Sequence, residues 1–156
     1  MLKAYAAQGD CLVALGANED LDSAVWLDLV KPTREEEKRV EALLGVEVPT
    51  REEMQTIELS SRIYRENGSL YLTGDLLARV DQLLHSAEAV TFVLSGQRLA
   101  TIRYDNVQAF EILSARCCKA GSGLMTGERI LTGLLQTEND YLATVLGRVG
   151  LDLDEM

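Results

Sequence analysis

Few residues in this sequence have the type and spacing that chemistry requires. Nucleophilic catalysis by a Ser/His/Asp or Cys/His set needs a base, and His85 is the only histidine among 156 residues. It lies in Asp81-Gln82-Leu83-Leu84-His85-Ser86, read as a loop or strand edge, where a lone histidine is an ordinary exposed side chain. Tetrahedral zinc needs several Cys or His ligands in near spacing, and Cys11, Cys117 and Cys118 offer no CxxC pair. Cys117 and Cys118 are neighbours that would point about 100° apart on a helix. This odd set makes no disulfide framework and fits a reducing compartment. No Gly-x-x-x-x-Gly-Lys-Ser/Thr loop and no Gly-x-Gly-x-x-Gly turn occurs, and Gly121-Ser122-Gly123 is a helix-to-helix connector rather than a phosphate cradle. The sequence therefore predicts no enzyme, no catalytic residue and no cofactor-binding motif.

Oxygen ligands remain. Fifteen Lys and Arg against twenty-five Asp and Glu give a net charge of -10. Such a surface repels phosphate backbones, which argues against nucleic acid as a partner, and raises the local concentration of cations. It also serves solubility. Mg²⁺ is typically held by one or two carboxylates plus waters, so a weak site between subunits leaves little local signature. Asp28 stands out because it interrupts an apolar strand; the simplest role for a carboxylate there is to accept bonds from a nearby helix start. Glu35, Glu36 and Glu37 fan around the beginning of a helix, where acids complement the dipole on a solvated face.

The elements that must position these residues are readable from period and punctuation. Leu2–Ala7 and Cys11–Leu15 flank Gln8-Gly9-Asp10 as an opening hairpin. Ala24–Val30 is apolar on both faces apart from Asp28, the mark of a strand in the middle of a covered sheet. Thr33 and Glu36 form a capping box for a helix over Arg34–Leu44 that Gly45 ends, and Thr50 with Glu53 repeats the signal for a short turn near Met54. The period then becomes two from Ile57. Asn67-Gly68 marks a two-residue hairpin leading into a strand from Ser69 towards Leu77. Ala89–Leu94 and Leu99–Tyr104 form a second hairpin. Asp105 or Asn106 caps a helix over Val107–Lys119, and a long helix from about Thr126 carries Ile130, Leu131, Leu134, Leu135, Leu142, Val145, Leu146 and Val149 at helical spacing. One domain over 1–156 is predicted, of α/β (α+β) class, with a mixed, largely antiparallel sheet, helices packed on it and a long C-terminal helix. No run of about 18 apolar residues is present, and the first residues lack the apolar core of a secretory signal. A soluble, cytoplasmic chain is expected. The helical period that runs almost to Met156 reads as part of something longer.

The order of segments resembles the CorA family of divalent metal-ion transporters. Val25-Trp26-Leu27-Asp28-Leu29 before Pro32-Thr33 and Glu35-Glu36-Glu37 is similar to that family's early strand and helix. The similarity continues through Ile63–Leu72 and through Val90–Leu94 with Leu99–Asp105. It ends at Leu131, Leu134, Leu135, Asp140, Tyr141 and Leu146, which fit the helix before the family's long stalk. The resemblance implies a cytoplasmic domain with helices on both faces of its sheet, truncated before a stalk and two membrane spans that assemble as a homopentamer. It implies magnesium or cobalt, with Ni²⁺ and Zn²⁺ among related cargoes, and no small-molecule substrate. The Gly-Met-Asn signature beside the family's pore is not in this sequence. Some relatives bind a regulatory divalent ion between subunits through an acid shortly before the strand matching Val90–Leu94. Counting back gives Asp81 as the metal ligand, with its stalk partner beyond Met156. A solvated loop acid is the plainer reading of Asp81. The implied role is a regulatory, ion-sensing and assembly domain holding Mg²⁺ or another divalent cation weakly. A stand-alone binding or assembly module of the same fold is the alternative, and a soluble enzyme whose acids converge only on folding is a third reading.

Overall fold

The computed structural model describes residues 1–56, 58, 61–79 and 84–156. Seven strands form one sheet: β1 (Leu2–Gln8), β2 (Cys11–Ala14), β3 (Ala24–Val30), β4 (Ile63–Glu66), β5 (Ser69–Arg79), β6 (His85–Ser95) and β7 (Arg98–Arg103). Their order across the sheet is β2-β1-β3-β7-β6-β5-β4. β3 and β7 pair in parallel, and every other neighbouring pair is antiparallel. The mixed, largely antiparallel sheet expected from the sequence is thus the sheet found. β3 lies third of seven and buries both faces, as its apolar run requires.

Alternation along the strands sorts side chains into two cores. On one face Ala4, Leu27, Leu29, Ala100 and Ile102 meet Val40 of α1 (Arg34–Leu44) and Met54 of α2 (Arg51–Thr56). On the other, Trp26, Phe92 and Leu99 meet Phe110 and Leu113 of α3 (Gln108–Cys117) and Ile130 and Leu134 of α4 (Gly127–Asp154). Each fully buried Leu or Ile contributes about 1.5–3 kcal/mol relative to exposure, so the three layers hold together chiefly through these contacts.

Local signals decide where elements start. Thr33 Oγ1 accepts from the Glu36 N–H at 3.3 Å while Glu36 Oε2 accepts from the Thr33 N–H at 2.9 Å, a complete capping box. Thr50 and Glu53 repeat it at 3.2 and 2.7 Å. Asn67 and Gly68 both have positive φ, 49° and 81°, as the two-residue turn between β4 and β5 demands. At the start of α4 the chain touches the β6–β7 turn so closely that a Cβ on Gly127 would lie 2.6 Å from the Arg98 carbonyl carbon. Only glycine fits there.

Two expectations change, and α4 adds a finding of its own. No side chain caps α3: Val107 occupies its N-cap position, and Asn106 Nδ2 donates instead to Glu111 Oε1 at 2.6 Å. The acids of α1 are less solvated than expected. Glu36 accepts from the Leu2 N–H at 2.8 Å and pairs with the chain's amino terminus at 3.0 Å, and Glu37 pairs with Arg34 at 2.9 Å, which leaves Glu35 as the exposed member. Burial would raise the Glu36 carboxyl, but bonds from Thr33, the amino terminus and Leu2 bring it below its ordinary value. Finally, α4 is packed only in its first half. From Leu142 onward its apolar residues Leu142, Leu146, Val149 and Leu153 are exposed.

Candidate functional site

Two polar arrangements on the α3/α4 face are built from side chains rather than left by chance. The first surrounds Asp28. Trp26 and Asp28 of β3 and Thr101 and Arg103 of β7 point to the same face because the strands are parallel with Asp28 opposite Thr101. Trp26 Nε1–H donates to Thr101 Oγ1 at 3.1 Å, and the Thr101 hydroxyl donates to Asp28 Oδ1 at 2.9 Å. Arg103 donates from Nε to Oδ1 at 3.1 Å and from Nη2 to Oδ2 at 2.8 Å, and its Nη1 donates to the Asp105 carbonyl at 2.9 Å. Asp28 and Arg103 are only 2% and 4% exposed, and the guanidinium lies 4.5 Å over the Phe110 ring. The expectation that Asp28 accepts from a helix start is not met: the strand beside it supplies a bidentate partner instead. Tyr5, stacked on Trp26 with centroids 4.9 Å apart, is pushed up to about 12 by burial and then by the Asp28 charge. With both charges paired and enclosed, this arrangement anchors the sheet to α3 and offers no open coordination position.

The second arrangement is where the far end of the β5–β6 hairpin meets the middle of α4. The Leu77 N–H donates to Glu138 Oε1 at 2.7 Å. His85 Nε2 and the Tyr141 hydroxyl lie 2.7 Å apart, with their rings tilted at a centroid distance of 5.7 Å. Ala78 also bridges to Val107 at the foot of α3. Helical spacing explains the pairing, since Glu138 and Tyr141 sit three apart on one face of α4. Glu138 Oε2 is buried and has no hydrogen-bond partner among the described residues, and burial raises this carboxyl above its ordinary value despite the Leu77 bond. His85 is half-buried and bonded at the start of β6, not the free surface residue its isolation suggested.

Asp81, the metal ligand taken from the resemblance, lies outside the described residues. Its neighbours in sequence do not: Leu77 and His85, four residues to either side, are both held by α4. Among the described residues, no three His, Cys, Asp or Glu side chains are placed to hold a metal ion. No described helix is long and apolar enough to cross a membrane. Sequence reasoning passed over Glu138 and Arg103. The available signal was an acid four residues after Leu134 on the core face of α4, and a cation two residues after Thr101 at the end of a mostly apolar strand.

Fold and site together define a three-layer α/β/α domain whose last helix runs out of the packed body and is clamped to one hairpin end where it leaves. The family model described as CorA-like Mg²⁺ transporter protein matches residues 22–156, and this chain belongs to that family. The magnesium transport protein CorA of Haemophilus influenzae is 27% identical over 157 residues, which take in 100% of this chain and 50% of that protein. The soluble domain of CorA from Methanocaldococcus jannaschii superimposes with a TM-score of 0.70 at 13% identity, covering 99% of this chain and 62% of that one. The complete CorA magnesium transporter of the same organism gives 0.70 at 14% identity, covering 99% and 49%. The chain therefore spans about half the length of the curated relatives it matches.

Proposed function

We propose that this chain is the cytoplasmic ion-sensing and assembly domain of a CorA-like divalent cation transporter, with Mg²⁺ as the first cargo to test and Co²⁺, Ni²⁺ and Zn²⁺ as alternatives. The observation that carries this reading is the clamp between the β5–β6 hairpin end and α4. Whatever binds at that hairpin end acts on residues that hold the helix where it leaves the domain. The relatives' greater length and the exposed Leu142, Leu146, Val149 and Leu153 fit continued helical packing beyond the body. A net charge of -10 gives neighbouring copies a mutual repulsion that bound cations would screen.

The mechanism follows from linkage. A divalent ion held by Asp81 and water at a subunit boundary binds the closely packed arrangement better than the loosened one, and so stabilises it. Loss of the ion frees the hairpin end, and the change passes to α4 through the Leu77–Glu138 and His85–Tyr141 contacts. The assembly is a homopentamer in this reading. No group in the chain has to perform covalent chemistry.

Mg²⁺-dependent protection from protease tests it in the full-length protein. Native protein gains resistance as Mg²⁺ is raised through the millimolar range, and Asp81→Asn requires more Mg²⁺ for the same protection. Equal protection in the two proteins removes Asp81 from the mechanism. If Mg²⁺ protects neither, the sensing role fails with it.

A further inference from the structure

Cys117 and Cys118 sit where α3 ends and serve neither arrangement described above. Cys117 is the last residue of the helix and Cys118 its C-cap, with φ -83° and ψ -1°. Instead of diverging, their sulfurs lie 4.0 Å apart. The Cys117 thiol is oriented by the Ser114 carbonyl, to which it donates at 3.2 Å. The following loop folds back over the helix end, with the Ser122 hydroxyl donating to the Cys117 carbonyl at 3.3 Å. Cys118 is exposed and Cys117 is buried, so one thiol is presented to solvent and the second waits directly behind it.

Geometry sets what such a pair can take. Two sulfurs bonded at about 2.3 Å to one centre are about 3.3–3.8 Å apart for bond angles of about 90–110°, which a small side-chain rotation reaches from the 4.0 Å found. A direct disulfide is less suited, because adjacent Cα atoms are about 3.8 Å apart whereas disulfides span about 4.4–6.8 Å. One bridging atom relieves that mismatch. Among the described residues no third or fourth ligand of the zinc type converges here, so the site supplies two sulfurs and no more. Burial pushes the Cys117 thiol up to about 12, further helped by the neighbouring Cys118 sulfur, which disfavours any complex that leaves a charged thiolate inside. A centre that forms neutral bonds to sulfur avoids that cost.

We propose that Cys117 and Cys118 form a dithiol site for a trivalent, thiophilic metalloid of the monosubstituted arsenical class. In binding, the two bonds of the arsenic–oxygen double bond are replaced by two arsenic–sulfur bonds. Both thiol protons leave with the oxygen as one water. Arsenic stays trivalent, and no oxidant or reductant takes part.

The probe is phenylarsine oxide added to the folded chain in excess glutathione, read by mass spectrometry under native conditions. One adduct is expected that survives the monothiol and is released by 1,2-ethanedithiol. Cys118→Ser and Cys117→Ala each lower its retention by about 100-fold or more, the scale on which a second linked contact outlasts a single one, while Cys11→Ser leaves it unchanged. Because Cys118 is exposed, its substitution leaves the core intact and the comparison meaningful. No adduct on the folded native chain, or equal retention in Cys118→Ser, overturns the proposal.

Discussion

Asp28 and Glu138 are carboxylates on the same covered face, and their surroundings treat them in opposite ways. Asp28 lies in the middle of the sheet, where both oxygens are taken by Arg103 and Oδ1 also accepts from Thr101. Glu138 lies near the end of the β5–β6 pair, with one oxygen on the Leu77 N–H and the other buried and without a partner among the described residues. A fully satisfied buried polar network makes one packing unique, whereas a buried oxygen left without a partner keeps its desolvation cost. The difference separates an anchor from a clamp.

The largest effect should come from breaking the anchor. Asp28→Ala leaves the Arg103 charge buried and unpaired, and about 3–5 kcal/mol of stability should disappear. Urea unfolding of the folded chain measures this directly. Replacing both partners, as Asp28→Leu with Arg103→Met, removes the stranded charge and should restore most of the loss. If Asp28→Ala unfolds within 1 kcal/mol of the native chain, a threshold set by the roughly 1 kcal/mol net worth of one neutral hydrogen bond, the pair is not the anchor described.

How the two sites differ also explains what the sequence could reveal. Caps, the Asn67-Gly68 turn and the two-faced apolar run of β3 are local patterns, and each sits where the residues place it. Asp28 was visible as an anomaly, but its partner is 75 residues away in β7, and only the parallel pairing of two non-consecutive strands brings them together. Glu138 was harder to see because it substitutes for an apolar residue in a helix whose period is otherwise regular. The same period left burial undecided: Leu142, Leu146 and Val149 keep helical spacing, yet all three are exposed. Periodicity reports which face of a helix is apolar, not whether anything covers it.

A pH titration separates the clamp from the anchor with a smaller effect. The folded-state pKa of Glu138 lies above its ordinary value of 4.5 because burial disfavours the charged form. Its contribution to stability is therefore complete below about 4.5 and is lost as pH rises through the raised folded value. Glu138→Gln keeps an acceptor for the Leu77 N–H but cannot ionise. Its stability relative to the native chain should rise as pH is taken above about 4.5 and level off once pH has passed the raised folded value, whatever offset the new amide introduces. A constant difference across that range shows that Glu138 does not titrate in the folded protein at a raised value.

The smallest expected effect is the most specific to the clamp. Tyr141→Phe keeps the ring against His85 and removes one hydrogen bond at a half-buried position, a loss of about 0.5–1.5 kcal/mol at most. Global unfolding will barely register it, but local opening should. Hydrogen exchange at the Leu77 amide reports release of the hairpin end, while amides of β3 and β7 report the centre. In Tyr141→Phe the Leu77 amide should exchange faster and those of Leu29 and Ile102 should not change. Acceleration at all three would mean that edge and centre open as one unit, and α4 could not then be moved from the hairpin end alone. If only Leu77 responds, the domain carries a local hinge on a fixed frame, as a sensor coupled to a projecting helix requires.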